Sequence, residues 1–118
     1  MDINKIIICD VDGTICKKTN GRYEDALPDR NFISVLNSYY EQGFTIKLFT
    51  SRNMNSFDGD VKKIESVTRP ILELWLHQNG CKYHELIMGK PWCGRNGFYI
   101  DDKSIRPDEF KNLQYPEI

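Results

Sequence analysis

Apolar runs and polar breaks alternate along this chain in an order that predicts strands and helices by turns. Lys5–Cys9 contains three successive isoleucines, the continuous apolar pattern of a short strand covered on both faces. Residues 16–28 are polar, with Asn20-Gly21 as a turn signal, and predict a short flap at about 13–28. Asp29 is a good N-cap, and Phe32, Ile33, Leu36 and Tyr40 follow at helical spacing until Gly43 stops the helix. Phe44–Phe49 reads as the second strand. Lys47 in its middle is awkward for a buried strand and predicts a stem that reaches an edge. Ser51–Gly59 is polar and Asn-rich, so a loop is expected.

Asp60–Asn79 predicts a helix that begins or kinks at Pro70. Its apolar stripe is Ile71, Leu72, Trp75 and Leu76, and Gly80 closes it. Glu85–Met88 and Phe98–Ile100 are the expected third and fourth strands, and Asp108–Leu113 a last short helix. Strands alternating with helices predict an α/β fold, a parallel sheet with right-handed crossovers. At 118 residues the chain reads as one domain, with no internal repeat or linker.

Composition narrows the function classes. Net charge is −1, from 16 basic and 17 acidic residues, so no basic footprint points to nucleic acid. No segment is long and apolar enough to span a membrane, and no secretory pattern opens the sequence, so a cytoplasmic protein is expected. Cys9, Cys16, Cys81 and Cys93 are widely spaced with no CxxC pair, which predicts four reduced thiols. His77 and His84 pair with no plausible nucleophile and are read as structural.

Chemistry gathers where the apolar runs end. Asp10 and Asp12 close the first, Thr50 the second, Lys90 the third, and Asp101-Asp102 the fourth. In an open parallel sheet those ends share one edge, where ligands bind. Residues two apart on an extended chain point the same way, so Asp10 and Asp12 would face one small volume. Two ionised carboxylates there call for a cation or a shared proton, and Mg²⁺ suits oxygen ligands. Asp101 and Asp102 would complete its shell. Thr50 offers a hydroxyl, the following loop offers backbone N–H groups, and Lys90 offers a point charge for phosphate. A carboxylate can attack phosphorus while a second one moves the proton.

Asp10-Val-Asp-Gly-Thr14, Thr50, Lys90 and Asp101-Asp102 resemble, in order and sheet position, the four motifs of the haloacid dehalogenase superfamily of phosphatases. The resemblance covers nearly the whole chain and implies a three-layer Rossmann-like fold with helices on both faces of the sheet. It implies that Asp10 is the nucleophile and Asp12 the general acid/base. Mg²⁺ would be held by Asp10, the Asp12 carbonyl and Asp101, with Asp102 acting through water. Thr50 and Lys90 would bind the phosphoryl group, helped by the Ser51 N–H. The aspartate at position 12 favours phosphoryl chemistry over carbon–halogen cleavage.

Neither gap where that family inserts a cap has room for one, so a capless member is expected. Phe49-Thr-Ser-Arg-Asn-Met54, Gly89-Lys-Pro-Trp-Cys-Gly94 and Gly97-Phe-Tyr-Ile-Asp-Asp102 resemble a small capless subgroup associated with surface-polysaccharide biosynthesis. That implies a sugar phosphate or related small metabolite as substrate. Arg52, Asn53, Trp92 and Arg95 fall on the same predicted edge and are read as contacts to the leaving group, with packing the equal alternative for Trp92. Arg22 and Tyr23 are weaker contacts on the flap. An uncapped site predicts either a large substrate or a neighbouring subunit as cover, hence a homo-oligomer touching through the flap and the Asn-rich loop. The rival expectations are a phosphorylatable receiver-like signalling domain and a non-catalytic binding module.

Overall fold

A computed structural model describes residues 3–19 and 23–113. It is an α/β fold around a parallel sheet of three strands in the order β1 (Ile6–Asp10), β2 (Thr45–Phe49), β3 (Glu85–Ile87). The register pairs Ile7 with Ile46 and Cys9 with Leu48, and Leu48 in turn with Leu86. This row is the covered face: Ile46 and Leu48 are fully buried, and Cys9 and Leu86 nearly so. It shares one core with Phe32, Ile33 and Leu36 of α1 (Arg30–Glu41) and Leu72, Trp75 and Leu76 of α3 (Arg69–Gln78). Right-handed crossovers between successive parallel neighbours put both helices on that side.

The helices begin where their side chains dictate. The Asp29 carboxylate accepts the Phe32 N–H at 3.0 Å as the N-cap of α1. Asp60 caps the short α2 (Val61–Lys63) in the same way through Lys63. The kink expected at Pro70 is a π-turn over Ile64–Thr68, after which Pro70 stands in the first turn of α3. Proline lacks an N–H, so the register change falls where no hydrogen bond can be lost. The inward face of α1 also buries Tyr39, and Tyr40 packs half-buried against the same core. Tyr39 packs against Phe44 and Phe110, and Phe110 anchors α4 (Pro107–Lys111) on α1.

Three expectations are corrected. First, Phe98–Ile100 is not a strand: it joins no sheet, and Phe98 and Ile100 are 76% and 88% exposed. Its apolar content was right for a strand, but pairing depends on a distant partner edge that it does not meet here. Second, among the described residues no helix covers the second face of the sheet. In the opposite row, Ile8–Lys47–Glu85, Ile8 is 64% exposed, Glu85 is exposed and Lys47 is half-buried. No helix lies between β3 and α4 to cover it. Third, Lys47 does not reach an edge, because β2 is the central strand. Its charge is accommodated by that bare face, where its ammonium lies 3.7 Å from Glu85.

Candidate active site

The C-terminal ends of the strands open into a cleft of about 490 Å³. Asp10 ends β1, and the chain then wraps tightly on itself: the Val11 carbonyl accepts the N–H groups of Thr14 and Ile15 at 3.1 and 2.9 Å. Gly13 makes the turn at φ +85°, a left-handed conformation that suits glycine. Both Asp10 and Asp12 line the cleft, as the two-residue spacing predicts.

Each carboxylate meets a different cation. Lys90 reaches from the loop after β3 to within 3.4 Å of Asp10 Oδ1, while the Thr14 hydroxyl donates to Asp10 Oδ2 at 3.2 Å. Burial at the base of the cleft raises the Asp10 carboxyl above its ordinary range, and the Lys90 charge opposes that rise. Arg52 grips Asp12 bidentately, Nε at 3.1 Å from Oδ2 and Nη2 at 2.7 Å from Oδ1. The Arg52 side chain is 1% exposed and stacks on the Tyr23 ring at 4.3 Å. Its remaining nitrogen, Nη1, is buried with no hydrogen-bond partner among the described residues. A charged donor buried without an acceptor is costly unless something else fills that place.

Of the expected phosphate ligands, Ser51 and Lys90 line the cleft and Thr50 does not. Thr50 is 1% exposed. Its hydroxyl accepts the Arg52 N–H at 3.0 Å, and its backbone bridges β3 and the next loop through Ile87 and Lys90. Thr50 therefore fixes the loop that aims Arg52. Its position at the end of the central strand buries the hydroxyl that sequence position offered to a ligand.

Arg52, Asn53, Trp92 and Arg95 all line the cleft. Trp92 is about half-exposed at the cleft. Tyr23 lies there too, whereas Arg22 and the Asn20-Gly21 turn fall outside the described residues. Lys18, Thr19 and Tyr99 line the cleft without having been singled out. Lys18 carried a signal, a basic residue on a flap beside the Asp motif. Tyr99 carried none, because its run reads as strand. Its ring sits under the Lys90 ammonium at 4.2 Å, and its hydroxyl donates to the Pro91 carbonyl at 2.6 Å.

Asp101 and Asp102 are exposed and do not line the cleft. Since Phe98–Ile100 does not join the sheet, nothing carries the pair to Asp10 and Asp12. Among the described residues no group of three or more His, Cys, Asp or Glu is placed to hold a metal. The shell expected for Mg²⁺ is thus not assembled by one copy of the chain, whose two inner carboxylates already face Lys90 and Arg52. Cys16, 3.6 Å from Asp12, is pushed up to about 12 by burial and then by that neighbouring charge, which leaves it a thiol. His84 is structural, as expected: its Nδ1 accepts the Ile46 N–H at 3.0 Å and its ring stacks on Tyr40.

No protein-family model and no curated protein matches the chain. Among solved structures it is similar to the crystal structure of a target protein from Vibrio cholerae, at 42% identity and a TM-score of 0.91. The match covers 96% of this chain and 92% of that one. The chain belongs to the same family as this Vibrio protein. It is also similar to chains in two structures of the Pnkp1/Rnl/Hen1 RNA repair complex, at 20% and 21% identity and TM-scores of 0.53. Those matches cover 91% of this chain but 29% and 31% of theirs, and carry a likeness of fold alone. No helix among the described residues is long and apolar enough to cross a membrane.

Proposed function

We propose that this chain is a phosphomonoesterase of the haloacid dehalogenase type, with Asp10 as the nucleophile that forms an aspartyl-phosphate. The observation that carries the reading is the buried, unpartnered Nη1 of Arg52 in a cleft that also holds Asp10 and Lys90. A phosphoryl group entering there supplies acceptor oxygens to both cations while Asp10 attacks phosphorus. Arg52 fixes the orientation of Asp12, which delivers a proton to the leaving oxygen and then takes one from water. Because Arg52 occupies both Asp12 oxygens, that proton transfer requires it to release one as its guanidinium turns to the phosphoryl group. Catalysis then rests on placement and charge compensation.

The substrate class that fits is a phosphorylated sugar or related small metabolite, with Trp92 and Arg95 at the mouth to meet the leaving group. The reading is tested by a screen of phosphorylated sugars, nucleotides and phosphopeptides, with and without Mg²⁺, followed by Asp10→Asn on whichever substrate is turned over. Loss of turnover with an unchanged circular dichroism spectrum is expected, and retained activity in Asp10→Asn overturns the mechanism. A receiver-like switch differs in one measurable respect, holding its acyl phosphate where an enzyme releases it within each turnover.

A further inference from the structure

We propose that the active site is completed by a second copy of this chain, whose Phe98–Ile100 run adds to the open edge of β1 and brings Asp101 and Asp102 to Asp10 and Asp12. Two unmet surfaces carry this. Among the described residues β1 is an edge strand that pairs with β2 alone, with Ile6 and Ile8 39% and 64% exposed on its bare face. Open edges of this kind accept added strands. The complementary piece lies in the same sequence. Phe98–Ile100 is apolar and bare, and none of its backbone groups is hydrogen-bonded to a described residue.

In its own chain the run is held away from β1. Tyr99 is tied down by its hydroxyl, which donates to the Pro91 carbonyl and accepts the Cys93 N–H, and by the Lys90 ammonium over its ring. Downstream, Lys103 and Ser104 fold back on Asp101, and Phe110 fixes α4 on α1. Phe98 and Ile100, flanking the tethered Tyr99, are left as an apolar pair in solvent.

Side-chain alternation sets the register. Phe98, Ile100 and Asp102 stand two apart, as do Ile6, Ile8 and Asp10. Laid parallel on β1, they put apolar beside apolar on one face and end both strands in carboxylates at the cleft. Any register shifted by one residue sends Phe98 and Ile100 to the opposite face. Charge agrees: the cleft lining holds Lys18, Arg52, Lys90 and Arg95 against Asp10 and Asp12, and the incoming Asp101-Asp102 offsets that excess. A twofold axis makes the exchange reciprocal.

The assembly stands or falls apart from the phosphatase reading; only the carboxylates' catalytic role rests on it. Sedimentation equilibrium should give twice the chain mass, and Ile8→Lys or Ile100→Lys should each return the monomer with an unchanged circular dichroism spectrum. Both side chains are solvent-exposed in one copy, so a folded monomer tolerates either change. In a Cys93→Ser background, a short bis-maleimide should join Ile8→Cys in one copy to Ile100→Cys in another. A monomer mass for the wild-type chain, a dimer indifferent to both lysines, or no cross-link between the Ile8→Cys copy and the Ile100→Cys copy overturns the proposal. On a confirmed substrate, mixing Asp10→Asn with a chain carrying Asp101→Ala and Asp102→Ala should restore about a quarter of wild-type activity through the one intact site in a mixed dimer. Cross-linking without turnover on any substrate leaves the dimer standing and removes only the phosphatase reading.

Discussion

β2 and Phe98–Ile100 are similar in sequence character and opposite in fate. Both are short apolar runs that end in a polar residue assigned to the site. β2 is paired on both sides, and its Ile46 and Leu48 are fully buried. Phe98–Ile100 pairs with no described strand, and its Phe98 and Ile100 stand largely in solvent. The difference lies in what surrounds each run. Crossover helices α1 and α3 flank β2 in sequence and return it to the sheet, whereas the chain from Gly89 to Arg106 has no helix to bring Phe98–Ile100 back. The residue at the end of each run inherits that fate. Thr50 is locked so deeply that its hydroxyl serves the protein, and Asp101 stands in solvent.

The largest test of this contrast is truncation. Leu48→Ala should cost about 2–5 kcal/mol of unfolding free energy, the range for emptying a packed core site. Ile100→Ala, measured in urea on the monomeric Ile8→Lys background, should stay within about 0.5 kcal/mol. Comparable losses at the two sites would mean that Phe98–Ile100 is packed within a single copy.

Next comes the loop that Thr50 anchors. Arg52→Ala should lower kcat/KM on a confirmed substrate by roughly 10²–10³-fold, the loss typical of removing one charge-stabilising donor. Arg52→Lys should not restore it, because an ammonium cannot hold Asp12 bidentately and still offer a free nitrogen. Arg95→Ala, exposed at the mouth, should change KM more than kcat. Full activity in Arg52→Ala would remove the central cation from the mechanism.

A smaller effect is expected at the start of α1. Asp29→Ala should cost about 1 kcal/mol, the usual value of an N-cap. The Phe32 N–H, with Lys111 beside it, holds the Asp29 carboxyl below the usual range. A lowered folded-state pKa stabilises the protein above the unfolded carboxyl value and fades as pH falls through the lower one. The gap in melting temperature between wild type and Asp29→Ala should therefore be full at neutral pH and narrow below about pH 4. A gap that widened in acid would reverse the assignment.

The subtlest test is a pH profile. Attack requires ionised Asp10, whose carboxyl burial holds high and Lys90 pulls down. The acid limb of kcat/KM should lie above the ordinary aspartate value, about pH 3.9, and Lys90→Ala should move it higher still. A limb that stayed put or moved lower would separate Lys90 from Asp10.

Local chemistry was enough to read much of this molecule. Asp29 and Asp60 start helices because their carboxylates reach N–H groups three residues on, and Pro70 marks a break because it has no N–H to give. Asp10 and Asp12 were legible as a pair because two-residue spacing turns them to one side, and Arg52, Asn53, Trp92 and Arg95 because they follow strand ends. Tertiary structure decided the rest. It set which strand was central, and so put Lys47 on a bare face and buried Thr50. It brought Arg52 onto Asp12 across 40 positions and seated Tyr99 under Lys90. It also withheld Asp101 and Asp102 from the cleft. Caps, turns and periodicity involve neighbours in the chain and are written in it. Strand pairing and ion pairing join distant segments, and their outcome depends on every element that lies between.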